Sequence, residues 1–155
     1  MTMVATSQHS QRRPGSRGPA TASPLASAET PVRTRRRVYI VDDHQLFVVG
    51  LSVLINDSAD MEVCGTGHEE GQVLRDVRRL RPDLVILDVK LRHIDGFEVA
   101  RALRRLVGEV PILFLSSLGD SQKRQMALYM GARGFLEKTQ EPGLILEGIR
   151  RALTP

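Results

Sequence analysis

The chain has one cysteine, and no run of apolar residues approaches the ~20 needed to cross a bilayer. Nor does a secretory core of about 7 to 15 apolar residues follow its early arginines. Each absence excludes something. A single thiol, Cys64, has no intramolecular disulfide partner; in the apolar stretch Met61 to Cys64 it reads as a buried structural residue, in keeping with a reducing cytoplasm. Nothing in the chain addresses a membrane, so a cytoplasmic protein is expected.

Acidic residues are missing where basic ones gather. Residues 1–37 hold seven arginines (Arg12, Arg13, Arg17, Arg33, Arg35, Arg36 and Arg37) against Glu29 alone. The formal net charge of +4 therefore belongs to the tail, and residues 38–155 carry slightly more acid than base. The stretch Met1 to Arg36 is rich in Ser, Thr, Ala, Pro and Gly and has almost no large apolar side chains. It cannot bury enough surface to offset its ordering entropy, which predicts a disordered basic tail over 1–36. Its Arg- and Ser-rich composition superficially resembles a transit peptide, but prolines at 14, 19, 24 and 31 oppose an amphipathic helix. The run Thr34-Arg35-Arg36-Arg37 is either a solvated tail end or a contact for nucleic acid or anionic lipid.

What is present from Val38 onward is an alternation of short apolar strands with amphipathic helices. Strands are predicted near 37–41, 61–65, 84–88, 111–116 and 134–137, and helices over 46–55, 72–80, 97–106, 121–130 and 143–153. Pro82 and Pro111 mark strand entrances, where proline stops a helix. Leu84 to Leu87 and Ile112 to Leu115 are continuously apolar, as strands covered on both faces are. Five βα units in one domain over 37–154 imply an α/β fold with a parallel, doubly wound sheet. A hydrophobic content of 41% is ample for its core.

Polar residues stand at the strand ends: Asp42 and Asp43 after the first, Asp88 ending the third, Ser116 ending the fourth and Lys138 after the fifth. Singly, each has a plain explanation. Asp42 or Asp43 can cap a helix, and Ser116 or Lys138 can mark where a strand leaves the core. In a parallel sheet, however, the C-terminal strand ends form one rim, so that three carboxylates, a hydroxyl and an ammonium converge. Clustered anions repel strongly at reduced dielectric, and a divalent cation, Mg²⁺ with these oxygen ligands, is the natural counter-charge.

This order and spacing resembles the response-regulator receiver domain of two-component signalling, from Val38 to about Leu153. Val41-Asp42-Asp43-His44 and Gly50 are similar to the opening of the NarL/LuxR-type subgroup. Asp88 with Asp95-Gly96, Leu115-Ser116-Ser117, and Gly131 to Lys138 match the phospho-acceptor, hydroxyl and last strands. The resemblance implies a flavodoxin-like (βα)5 fold with strand order 2-1-3-4-5. It implies that Asp88 accepts a phosphoryl group from a sensor histidine kinase or histidine phosphotransfer protein. It also implies that Asp43 and Asp88 ligate Mg²⁺ with the backbone carbonyl of Lys90, Asp42 acting largely through water. Lys138 and Ser116 would hold the phosphoryl oxygens and Phe135 would rotate inward as the switch. The expected product is a signalling protein, catalytic only in its own phosphorylation and dephosphorylation, acting on a downstream protein partner.

The chain departs from the family pattern at three places. Arg92 stands where proline is frequent, so the loop Lys90 to Asp95 is expected to be less rigid; Ser117 replaces a small Ala or Gly; Lys138-Thr139 replaces Lys-Pro. His44 and His93 lie near the rim and are expected to be solvated. Lys90 and Leu118 are expected to project over the pocket mouth and slow hydrolysis of an acyl phosphate. Met126, Ala127 and Met130 predict an inward face on the fourth helix with Tyr129 outward. Leu144, Ile145, Leu146, Ile149 and Leu153 give the fifth helix surplus apolar breadth, a surface for a phosphorylation-dependent homodimer. Too little follows the fifth helix for a recognition helix, so sequence-specific DNA binding by this chain is not expected. Competing readings are a receiver fragment of a DNA-binding regulator, a degenerate receiver used for docking, and a flavodoxin-like cofactor binder, whose phosphate Asp42 and Asp43 would repel.

Overall fold

The computed structural model describes residues 35–117 and 119–155. Among them, strands and helices alternate strictly: β1 (Arg36–Val41), α1 (Gln45–Asn56), β2 (Met61–Gly67), α2 (Glu70–Leu80), β3 (Leu84–Asp88), α3 (Gly96–Leu106), β4 (Ile112–Ser116), α4 (Ser121–Tyr129), β5 (Gly134–Glu137) and α5 (Pro142–Leu153). The expected tail over 1–36 lies outside the described residues apart from Arg35 and Arg36. All strand pairs are parallel and the sheet runs β2-β1-β3-β4-β5. The doubly wound architecture and strand order are therefore as expected.

Both sheet faces are dry, which explains why β3 and β4 read as unbroken apolar runs. Within each run the side chains alternate between two cores. Val38 and Ile40, Leu84 and Ile86, and Leu113 and Leu115 pack with Val48, Leu51 and Ile55 of α1 and Ile145 and Ile149 of α5. Their neighbours Tyr39 and Val41, Val85 and Leu87, and Ile112 and Phe114 face Val73 and Val77 of α2, Val99 and Leu103 of α3 and Ala127 of α4. Tyr39 is fully buried, and its hydroxyl donates to Asp76 Oδ2 at 3.0 Å. Burial pushes that phenol well above its ordinary range.

Two sequence expectations change here. Cys64 is half-buried rather than buried: the β1–β2 register steps from Val38↔Val63 to Tyr39↔Gly65, so Cys64 is the unpaired extra residue of a bulge. Partial burial still pushes its thiol up. Arg35, Arg36 and Arg37 are anchored to the fold. Arg35 donates to the carbonyls of Asn56 and Ser58, each at 2.7 Å, Arg36 pairs with Asp83 at 3.4 Å, and the Arg37 guanidinium donates to the Leu80 carbonyl. These arginines tie β1 to the ends of α1 and α2.

Candidate functional site

The acidic pocket is built by register. Val41 of β1 lies beside Leu87 of β3, Asp88 beside Leu115 of β4, and Ser116 beside Glu137 of β5. The next residue outward on each strand therefore reaches one rim. Asp42 and Asp88 are 2% and 1% exposed, and Ser116 is buried with them. Lys138 extends its ammonium between the two acids, 2.6 Å from Asp42 Oδ2 and 2.8 Å from Asp88 Oδ2. Its amide donates to the Ser116 carbonyl at 2.8 Å, coupling the ends of β4 and β5. The same ammonium lies 4.8 Å from the centre of the Phe47 ring, a cation–π contact that the sequence alone did not reveal.

Asp43 completes the acidic group from the other side. Its Oδ2 is 3.8 Å from the Arg92 guanidinium, while its buried Oδ1 accepts no hydrogen bond and has only the His44 ring nitrogen beside it, at 3.2 Å. A carboxylate oxygen left in that condition is unfavourable without a cation, and oxygen donors of this kind suit a divalent ion. Asp42, Asp43, His44 and Asp88 each offer a ligand atom within 4.8 Å of the others. The residues present thus fit a metal ion. Asp42 Oδ1 also accepts from the His44 amide at 2.9 Å, a local turn that fixes the acid; neither aspartate caps α1, whose N-cap is His44.

Burial raises the Asp88 carboxyl above the usual carboxylate range, opposed by the hydrogen bond and charge of Lys138 and reinforced by Asp42. Among its neighbours Lys138 does most to favour the ionised form. Asp88 Oδ1 accepts from the Lys90 amide at 3.2 Å, and the Lys90 side chain is exposed. Leu118, expected beside Lys90 over the mouth, lies outside the described residues.

The loop after β3 is tied down despite Arg92. Lys90 bridges to Asp95, Gly96 donates to the Val89 carbonyl at 2.9 Å, and Asp95 Oδ1 caps α3 by accepting from Phe97 at 2.7 Å. A Cβ at Gly96 would stand 2.1 Å from the Asp88 carbonyl oxygen, so only glycine lets the start of α3 reach that strand end. These bonds anchor the two ends of the loop that carries Arg92.

Phe135 stands apart from the pocket. Its ring is buried in the core with Phe114, and the Arg124 guanidinium lies 5.1 Å from its centre and donates to its carbonyl. On α4, Ala127 is buried and Tyr129 is exposed as expected. Met126, expected inward, is 43% exposed, because this short helix turns only Ala127 fully into the core. On α5, Leu144 is half exposed whereas Ile145 and Ile149 are buried. His44 is solvated as expected, its side chain 63% exposed, and what the sequence did not show is that Nδ1 lies 3.3 Å from Asp42 Oδ1, 3.2 Å from Asp43 Oδ1 and 3.9 Å from Asp88 Oδ2. Only its direct adjacency to the acid pair could have signalled this.

Comparison with known proteins agrees with this geometry. The sequence matches the response regulator receiver domain over residues 38–150. It is 29% identical over 116 residues to the transcriptional regulatory protein LiaR of Bacillus subtilis, covering 75% of this chain and 55% of that protein. It is 26% identical over 115 residues to the response regulator protein VraR of Staphylococcus aureus, covering 74% and 55%. The chain thus spans about half the length of these curated relatives. Among solved structures, a LuxR-family response regulator from Aurantimonas sp. SI85-9A1 superposes with a TM-score of 0.72 at 28% identity, covering 77% of this chain and 85% of that one. The signal receiver domain of the putative response regulator NarL of Mycobacterium tuberculosis superposes at 0.69 and 28% identity, covering 77% and 96%. With strand order, acidic rim and sequence in agreement, the chain belongs to the response regulator receiver domain family of two-component signalling.

Proposed function

We propose that this receiver takes a phosphoryl group on Asp88 from the phosphohistidine of a sensor kinase or phosphotransfer protein. The observation that carries this reading is the buried Asp88 carboxylate held 2.8 Å from the Lys138 ammonium in a pocket with two further acids. In the reaction an Asp88 oxygen attacks phosphorus, the P–N bond to the donor imidazole breaks, and the imidazole leaves with the bond's electron pair. Lys138 supports charge on the phosphoryl oxygens, and the Ser116 hydroxyl donates to one of them. Asp43, Asp88 and the Lys90 carbonyl would hold Mg²⁺, with Asp42 acting through water. When bound, the ion offsets negative charge at the phosphoryl oxygens. Burial disfavours the Asp88 anion, so the cationic neighbours also keep the nucleophile ionised.

The switch proceeds through Ser116, Phe135 and the surface of α4 and α5. The Phe135 ring already packs inward, so the element left to move is its cover, Arg124, which also lies 3.8 Å from Glu137. Exposed Leu128, Tyr129 and Leu144 offer a surface for a downstream protein or a second phosphorylated copy. A second reading, that these residues are the receiver part of a DNA-binding regulator, is supported by the partial coverage of LiaR, a relative named as a transcriptional regulatory protein. Cytoplasmic function accords with a thiol-poor chain in which, among the described residues, no helix is long and apolar enough to cross a membrane.

The test is intact mass after incubation with acetyl phosphate and Mg²⁺. An adduct of about 80 Da is expected in the parent chain, suppressed by chelator and absent from Asp88→Ala. An adduct of unchanged yield in Asp88→Ala would overturn the assignment.

A further inference from the structure

His44 does not behave as a loop histidine that happens to be near an active site. The hydrogen bond from its amide to Asp42 Oδ1 and the start of α1 at Gln45 fix its backbone at the N-cap of that helix. From there Nδ1 points inward at the carboxylates, and more than half of the side chain remains open to solvent. Lys138 occupies the opposite side: it contacts Asp42 Oδ2 and Asp88 Oδ2, whereas His44 Nδ1 lies against Asp42 Oδ1 and Asp43 Oδ1. The ammonium and the imidazole therefore do not compete for the same oxygens of Asp42 and Asp43. Donor atoms around one small divalent ion at about 2.1 Å stand roughly 3.0 to 3.4 Å apart in octahedral or tetrahedral arrangements. The Nδ1 separation of 3.2 Å from Asp43 falls in that range and the 3.9 Å to Asp88 lies just above it, while Asp42 Oδ1, at 3.3 Å, is within hydrogen-bond reach of the ring.

We propose that His44 Nδ1 is a direct ligand of the ion held by Asp43 and Asp88 beside Asp42, and that the site therefore takes Mn²⁺, Co²⁺ or Zn²⁺ in preference to Mg²⁺. This rests on the proposed metal pocket only for the presence of a divalent ion there. The chemistry is that of donor softness. Mg²⁺ favours oxygen ligands and gives up water reluctantly, so an imidazole adds little to its binding. For the later first-row ions nitrogen is a favourable donor, and affinity at a mixed nitrogen and oxygen site rises from manganese through cobalt to copper and falls back at zinc. The ring needs no rotation to serve. The nitrogen already facing the acids becomes the ligand, which requires the ring proton on Nε2 in the bound form.

Two other imidazoles, His68 and His93, line a neighbouring cleft of about 240 Å³ with Asp43 and Arg92, so the test must tell them apart from His44. Tag-free protein is titrated calorimetrically with Mg²⁺, Mn²⁺ and Zn²⁺, and the Mn²⁺ complex is studied by electron spin echo modulation, which reads directly coordinated nitrogen. The parent chain is expected to bind Mn²⁺ and Zn²⁺ more tightly than Mg²⁺ and to show ¹⁴N modulation. His44→Ala is expected to lose the modulation and at least about tenfold in Mn²⁺ affinity, with Mg²⁺ affinity changed less than about twofold. His68→Ala and His93→Ala are expected to retain the modulation. Because His44 is largely exposed, its replacement leaves the fold intact, which melting curves of the variant check. Modulation that survives His44→Ala, or an equal loss of Mg²⁺ and Mn²⁺ affinity, overturns the imidazole ligand while leaving the metal pocket standing. Failure of the parent to bind any of the three ions overturns both.

Discussion

At the scale of single residues, the pocket is a place where function works against stability. Asp88 is buried beside Asp42, and one lysine must serve both. Its raised carboxyl value has a definite sign in linkage: the folded state holds the proton to higher pH than the unfolded chain does. The favourable contribution is complete below the unfolded value near ~3.9 and is lost as pH rises through the folded value. Once ionised, Asp88 is therefore a net cost to the fold. In chelator, Asp88→Asn is expected to raise unfolding stability by on the order of 1 kcal/mol at pH 7, with the gain shrinking toward pH 4. Urea melts of both proteins across that interval check it, and a variant less stable than the parent at pH 7 would contradict the account. Divalent cation added to the parent should raise its melting temperature, and the rise should be much smaller in Asp88→Asn.

At the scale of elements, helix ends hold the pocket's supporting loops. Asp95 and Asp120 cap α3 and α4 through their side chains, the first immediately behind Asp88. The weak junction lies elsewhere, at the C-terminus of α2. Arg81 ends that helix in the left-handed region, φ 48°, and among the described residues it alone does so without being glycine. Its amide reaches the Val77 carbonyl at 2.9 Å, so the conformation closes the helix, and Pro82 follows directly. Replacing Arg81 by glycine should relieve the side-chain strain and stabilise the fold by roughly 0.5 to 1 kcal/mol, since the turn already has the backbone that glycine prefers. Thermal melts are the measurement, and an unchanged or lower midpoint counts against stored strain. Phosphorylation by acetyl phosphate should be unaffected, because α2 ends at the opposite end of β3 from Asp88.

At the scale of the whole molecule, α1 leads directly from the acidic rim and leaves much of its length unpaired. Leu46 is 91% exposed, and Val49 and Val53 follow it at helical spacing. If the proposed phosphohistidine donor docks beside Asp88, this apolar face is the surface next to it. Leu46→Asp with Val49→Asp should slow phosphotransfer from a phosphohistidine protein at least about tenfold, a loss typical of removing central apolar anchors. The rate with acetyl phosphate, which needs no docking, should stay the same. An equal fall in both rates would place the defect in the pocket instead of the surface.

Much of this was legible in the chain because the governing physics is local. Strands covered on both faces are continuously apolar, prolines mark their entrances, and a parallel sheet must bring its C-terminal ends to one rim, so Asp42, Asp43, Asp88, Ser116 and Lys138 converge from their positions alone. Other features depended on direction and register. Which of Val38 and Tyr39 faces which core, why Cys64 is displaced by a bulge, and how Arg35 to Arg37 find carbonyls and acids more than twenty residues away are decided by strand pairing. Met126 is 43% exposed because α4 turns its neighbour Ala127 into the core, and the loop bearing Arg92 is held by Asp95 and Gly96 rather than by proline. The sequence by itself determined the architecture and the chemical inventory of the rim, through periodicity and chain order. Only the tertiary structure decided that Lys138 takes one side of Asp42 and His44 the other, because that division is a matter of a few ångströms between side chains up to 96 residues apart.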